Sequence, residues 1–210
     1  MKLRFAFVID SIYTQKIVEL ENLLHDKTKF RNKLDIKVNI PCISLFEGEF
    51  SEDFDYNAVS SKLVNVFWTK TPEHMVALQS AVYNSYSEGY YFCCYKNDSL
   101  NLMHMTAVKE CKEKILLEPS RIKGNLESYT DEQIDNIRLY GNPYVLNAYN
   151  PSILLGKTGS EENIAITKAY RDGLRIFPKK MPIERLIVGE LDDCGMICKI
   201  LYEFSFYRHQ

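Results

Sequence analysis

Two short segments, one in each half of the chain, follow the same pattern and leave little choice of backbone. The first is Pro41-Cys42-Ile43-Ser44-Leu45-Phe46-Glu47-Gly48; the second is Pro151-Ser152-Ile153-Leu154-Leu155-Gly156. Each has a proline, one small residue and an apolar run that closes on glycine. On a strand, residues two apart share a face. Ile43, Leu45, Ile153 and Leu155 are therefore expected toward a core, while Cys42 stands beside Ser44 and Ser152 beside Leu154 on the opposite face.

The surrounding pattern alternates strands and helices. LRFAFVID, from Leu3, reads as a buried strand, and Ile12 to His25 as a helix with Ile17, Leu20 and Leu24 on one side. LDIKVNI alternates strictly, with Leu34, Ile36, Val38 and Ile40 against Asp35, Lys37 and Asn39, and predicts a half-buried strand. A helix is predicted from about Asp53 to Trp68, presenting Tyr56, Val59, Leu63 and Val66. Strands over Met75 to Tyr83 and Tyr90 to Tyr95 flank a turn holding Ser85, Ser87 and Gly89. Asp98 or Ser99 is expected to cap a helix whose face is Leu100, Met103, Ala107, Cys111 and Ile115.

Residues 119–129, rich in Ser, Gly and Asn, are expected to connect two lobes. Thr130 and Gln133 then form a capping box for a helix that stops at Gly141. YVLNAY and SILLG predict a strand pair or one bent strand, and Ser160 with Glu161 and Glu162 opens another helix. The C-terminal end reads as a hairpin turning at Asp192 to Gly195. Its return strand is expected to present Met196, Cys198, Ile200, Tyr202, Phe204 and Phe206 on one face. The two halves look alike, which predicts one pseudo-duplicated, two-lobed α+β domain over 1–210.

Composition excludes several function classes. Of 210 residues, 26 are basic and 28 acidic, for a net charge of −2. A protein that grips long duplexes through many phosphate contacts shows a basic excess, so that role is not expected. The six cysteines form no C-x-x-C pair and the four histidines are scattered, so no zinc site and no cofactor are predicted. No apolar stretch reaches membrane-spanning length. Reduced thiols in a cytoplasmic protein are the expectation.

The paired segments resemble the 2H phosphoesterase family, which includes bacterial RNA ligase-like proteins and 2′,3′-cyclic phosphodiesterases. Its two motifs have the form His-x-Thr/Ser, one per lobe. LRFAFVID, LNLMHMTAVKE, GNPYVLNAYNPSILLGK and VGELDDCGMICKILYEFSF look like its first strand, a Leu-His helix, the approach to the second motif and the closing hairpin. The resemblance implies antiparallel sheets forming a central groove with helices outside.

The departure falls at the chemistry. In the family, two imidazoles exchange protons with the nucleophile and the leaving oxygen, which suits neutral pH because imidazole titrates near about 6.5. Here the histidine positions hold Cys42 and Ser152, and the adjacent hydroxyl positions hold Ser44 and Leu154. The resemblance thus implies a catalytically impaired protein that binds a nucleotide, cyclic nucleotide or short RNA end. Ser44, Ser152 and Lys157 are candidates to hold its phosphate, and Tyr149 to stack on a base. Two alternatives stand beside this: an active phosphodiesterase or ligase-like enzyme with a replaced site, using Cys42 as a nucleophile, and a protein-interaction module with no small ligand. His104-Met105-Thr106 also has the His-x-Thr form, but its neighbours Leu102, Met103, Ala107 and Val108 place it within a helix, where a packed histidine is expected.

Overall fold

The computed structural model describes residues 1–28, 30, 33–84, 87–117, 129–158 and 163–207, with the side chains of 26 and 28 excepted. Among the described residues the fold is α+β, with five α-helices and one eight-stranded sheet whose pairings are all antiparallel. In chain order the elements are β1 (Lys2–Ile9), α1 (Ser11–Thr28), β2 (Ile43–Glu49), α2 (Tyr56–Lys70), β3 (Met75–Val76), β4 (Leu78–Asn84), β5 (Gly89–Cys94) and α3 (Asp98–Cys111). They continue with α4 (Asp131–Tyr140), β6 (Ser152–Lys157), α5 (Ile164–Gly173), β7 (Met181–Leu191) and β8 (Ile197–Ser205).

Across the sheet the order is β3-β7-β1-β2-β6-β5-β4, and β8 also pairs with β7. The lobes are therefore interleaved in sequence. β7 and β8, from the C-terminal end, complete the part around β1, while β4 and β5, from the first half, complete the part around β6. A single division of the chain at 119–129 does not separate them; of that expected connection, 119–128 lies outside the described residues.

The main core fills one face of the sheet. On β1 the odd positions Leu3, Phe5, Phe7 and Ile9 enter it, as do Ile43, Leu45, Ile153 and Leu155. Against them pack Ile17 and Leu24 of α1, Val59, Leu63 and Phe67 of α2, Leu100, Met103 and Ala107 of α3, and Ile166 and Tyr170 of α5. The even positions of β1 turn the other way. Ala6 and Val8 join Ile40, Cys42, Ile187, Leu191 and Ile197 in a second, smaller apolar cluster.

Local chemistry sets most of the boundaries. Thr130 and Gln133 exchange both bonds of the capping box, and α4 ends at Gly141 with φ 67°, a left-handed geometry that glycine adopts without a Cβ clash. The caps of α2, α3 and α5 are Asp55, Asn97 and Asn163, each accepting a backbone N–H. Thus α3 starts from Asn97, not from Asp98 or Ser99. Ser160, Glu161 and Glu162, expected to open the helix now described from Ile164, lie outside the described residues, as does Ser85.

Three expected strands differ. LDIKVNI is a turn: the Asp35 carboxylate accepts from the N–H groups of Lys37 (2.6 Å) and Val38 (2.7 Å), and Asp35 N–H reaches the Asn39 carbonyl at 3.1 Å. An aspartate that satisfies its own following backbone competes with strand pairing, and Ile36 and Val38 are left exposed. Before β6, YVLNAY holds a 3₁₀ turn at Leu146–Ala148. In β8 the expected single face is broken by register shifts at Val188/Gly189 and Glu190/Leu191, so Cys198 is exposed and Ile197 is buried.

The join between β2 and β6 is one residue pair long, Ile43 with Ile153. Beyond it, the hydroxyl of Tyr149 donates to the Ser44 carbonyl (3.0 Å), and His104 Nδ1 donates to the Leu45 carbonyl (2.5 Å). Nε2 of His104 accepts from the N–H of Leu146 (2.9 Å), which fixes the neutral Nδ1–H tautomer. The two rings lie flat on each other, 3.9 Å apart and 2° from parallel. Leu146 itself is left-handed, φ 54°, a conformation that costs a non-glycine residue about 1–2 kcal/mol.

Removing either donor should cost stability, because a buried carbonyl is left bare. Tyr149→Phe is expected to lose about 1–2 kcal/mol and His104→Ala about 2–5 kcal/mol in urea unfolding. Burial holds the His104 imidazole below its ordinary value of 6.5. The unfolded chain then takes up the proton first as pH drops, so the native state loses stability below pH 6.5 and this site contributes no slope above it. The difference in unfolding free energy between the wild type and His104→Gln should shrink below pH 6.5; a constant difference would rule out a buried neutral imidazole.

Candidate functional site

On the sheet face away from the main core lies an open groove of about 1060 Å³. Its floor is built by neighbouring strands. Antiparallel pairing at Ile43–Ile153 brings Ser44 level with Ser152 and Cys42 level with Leu154. On the far side of β6, Tyr91 pairs with Leu154 and Cys93 with Ser152. All six residues line the groove. The four motif positions read from the sequence are therefore brought together around one near-twofold strand pair.

A charged cluster stands at the β1 side. Arg4 donates from Nε (3.1 Å) and Nη2 (2.8 Å) to one carboxylate oxygen of Glu47, and from Nη2 to the Gly195 carbonyl at 2.8 Å. Lys2 lies 3.5 Å from the other oxygen of Glu47. Lys157, half-buried at the end of β6, points its ammonium toward Gly195. Burial pushes the Glu47 carboxyl up, but Arg4 and Lys2 outweigh it and hold the group below its ordinary value. Burial pulls the Lys157 ammonium down, against Glu47. Tyr91, whose hydroxyl donates to Ser87 Oγ at 2.9 Å, is raised by burial and lies within electrostatic reach of Arg4, Glu47 and Tyr144.

The opposite wall is apolar and aromatic. Ile115, Leu116 and Leu117 follow α3, Ile137 and Tyr140 belong to α4, and Tyr144 follows it. Leu116, Leu117 and Tyr144 remain substantially exposed. One ligand spanning the groove would meet Lys2, Arg4 and Lys157 interspersed with Glu47, Glu49, Asp192 and Asp193 at one side, and rings with Arg138 at the other.

Cys42 is a poor nucleophile here. It is 7% exposed among Ala6, Val8, Ile187 and Leu191, and burial pushes its thiol up more than the adjacent Arg4 pulls it down. Cys93 is also raised by burial. Tyr149 lines the groove but offers it little ring: it is 4% exposed, with one face covered by His104 and its hydroxyl donating to the Ser44 carbonyl. His104 is 1% exposed, packed within α3 behind the groove. Among the described residues no histidine lines the groove, and no cluster of three or more His, Cys, Asp or Glu is arranged to hold a metal. No described helix is long and apolar enough to cross a membrane.

Lys2, Arg4, Glu47 and Tyr91 were not singled out from the sequence. The available signal was the first strand itself, where Lys2 and Arg4 alternate with Leu3 and Phe5 and so must share the face opposite the core.

No family model matches the chain, and no curated protein matches it. Among solved structures it is similar to E. coli LigT complexed with NADP+, at a TM-score of 0.48 and 11% identity, over 99% of this chain and 98% of that chain.

Thiol reactivity provides a direct check on Cys42. In the native protein at pH 7.5, iodoacetamide should modify exposed Cys198 first and Cys42 at least about tenfold more slowly, since attack requires an accessible thiolate. Peptide mass mapping that finds Cys42 labelled first would reinstate it as an activated nucleophile.

Proposed function

We propose that the chain is a divergent 2H phosphoesterase-like protein whose groove binds a nucleotide, a cyclic nucleotide or an RNA end without cleaving it by the two-imidazole route. The observation that carries this reading is the convergence of Cys42, Ser44, Ser152 and Leu154 on one open floor beside Arg4, Lys2 and Lys157, with no imidazole among the described lining residues. Ser44 and Ser152 offer hydroxyl donors to phosphoryl oxygens, and Lys157 offers charge. The base is assigned to the wall of Tyr140 and Tyr144 in place of Tyr149.

Loss of one general acid or base costs roughly 10²–10⁴ in rate. Both are absent at the motif positions, Cys42 is held protonated by burial, and a serine hydroxyl does not titrate near neutrality. A groove filled by a protein partner would be favoured by a closed apolar cleft. This groove is open, and its charged side and Tyr-bearing wall suit a small anion with a ring.

Incubation with a 2′,3′-cyclic nucleotide should show no ring opening above background. Turnover that vanishes in Cys42→Ala or Ser152→Ala would overturn the impairment. Thermal melting with mono-, di- and cyclic nucleotides should show a raised midpoint for at least one class, because a ligand selective for the native state stabilises it. That shift should be reduced in Lys157→Ala; no shift at millimolar ligand would favour the interaction module.

A further inference from the structure

We infer that Lys2, Arg4 and Lys157 form an anion site for a phosphate monoester, and that Glu47 occupies it in the free protein as an internal counter-ion which the ligand must displace. The inference rests on the groove binding a phosphate-containing ligand and goes further by naming the charge state it selects.

Glu47 has the contacts that a phosphoryl group would take. Two nitrogens of Arg4 converge on one of its oxygens, at 3.1 and 2.8 Å, and Lys2 approaches the other at 3.5 Å. Lys157 acts on it electrostatically. The side chains of Arg4 and Glu47 are only 12% and 23% exposed, so the pair is partly desolvated and its charges are weakly screened. Glu49 stands opposite Lys2 in the β1–β2 register, and Asp192 and Asp193 also line the groove, so a ligand gains charge from Arg4 and Lys157 only by displacing Glu47. A monoester carries close to two negative charges near neutral pH, whereas a diester carries one. The guanidinium lies near enough to Cys42 to oppose the effect of burial on its thiol, which places the cluster against the first motif position. Tyr91, on the floor, and Tyr144, on the aromatic wall, line the same groove. A monoester on Arg4 and Lys157 thus leaves its nucleoside directed along the groove toward the rings.

Calorimetric titration with AMP and with 3′,5′-cyclic AMP, which share a base and differ in phosphate charge, tests both parts. The wild type should prefer AMP by about tenfold or more. Glu47→Gln, which removes the competing charge while keeping the side-chain shape, should tighten AMP by about tenfold, and Lys157→Gln should weaken it by a similar factor. Circular dichroism melts of both variants verify that they fold. A 5′-phosphorylated RNA tetramer binding tighter than AMP identifies a strand end as the source of the monoester, and weaker binding identifies the free nucleotide. If the wild type binds AMP but Glu47→Gln binds it equally or less well, Glu47 belongs to the cradle and the counter-ion role is overturned while the groove reading stands. If neither nucleotide binds any folded variant, the groove reading fails as well.

Discussion

The paired hydrogen bonds from Tyr149 and His104 to β2 decide the shape of this molecule. β2 and β6 meet at Ile43 and Ile153 and then part. A register shift against β1 leaves Leu45 opposite no β1 residue, and the carbonyls of Ser44 and Leu45, beyond the junction, are met by side chains from other elements. A buried carbonyl without a donor costs about 1–3 kcal/mol. The Tyr149 hydroxyl and the His104 ring supply the donors, so β2 and β6 can diverge without that cost. Divergence is what permits a groove: a sheet zipped along the full length of both strands would close the space between the lobes.

The same bonds explain which parts of the chain were legible in sequence. The periodicity of LRFAFVID, of both paired segments and of α2 and α3 was readable because burial on one face imposes it. The capping box at Thr130 and Gln133 was readable because the chemistry is local. LDIKVNI failed because Asp35 captures its own downstream N–H groups, and alternation alone does not report that competition. YVLNAY failed because its backbone follows His104, a residue remote in sequence whose Nε2 holds Leu146 in a left-handed geometry. The burial of Tyr149 was hidden for the same reason: the ring and the carbonyl it meets come from α3 and β2. His104 was correctly read as a packed helix histidine, but its role in supporting β2 needed the fold.

For the groove, the motif positions were legible and the charges were not. Cys42, Ser44, Ser152 and Leu154 fall together because two alternating strands meet antiparallel, which the pattern itself implies. Arg4 and Glu47 sit on different strands, and their coupling depends on the β1–β2 register that places them opposite each other. Nothing within either segment announces that register. The interleaved order of the sheet adds Gly195 from the β7–β8 turn, so the site draws on both ends of the chain.

The residue types at the paired-strand positions limit what the groove can do with a proton. An imidazole near its own titration point can both give and take one. Arg4 keeps its proton throughout, its charge reinforced by Glu47 even though burial opposes it, and Cys42 holds its proton because aliphatic neighbours make the thiolate costly. Such a set of groups can hold an anion but does not relay a proton to a leaving oxygen. On the proposed reading, fixed cations at the β1 side, with no histidine among the described lining residues, favour retention of a phosphorylated ligand over its conversion.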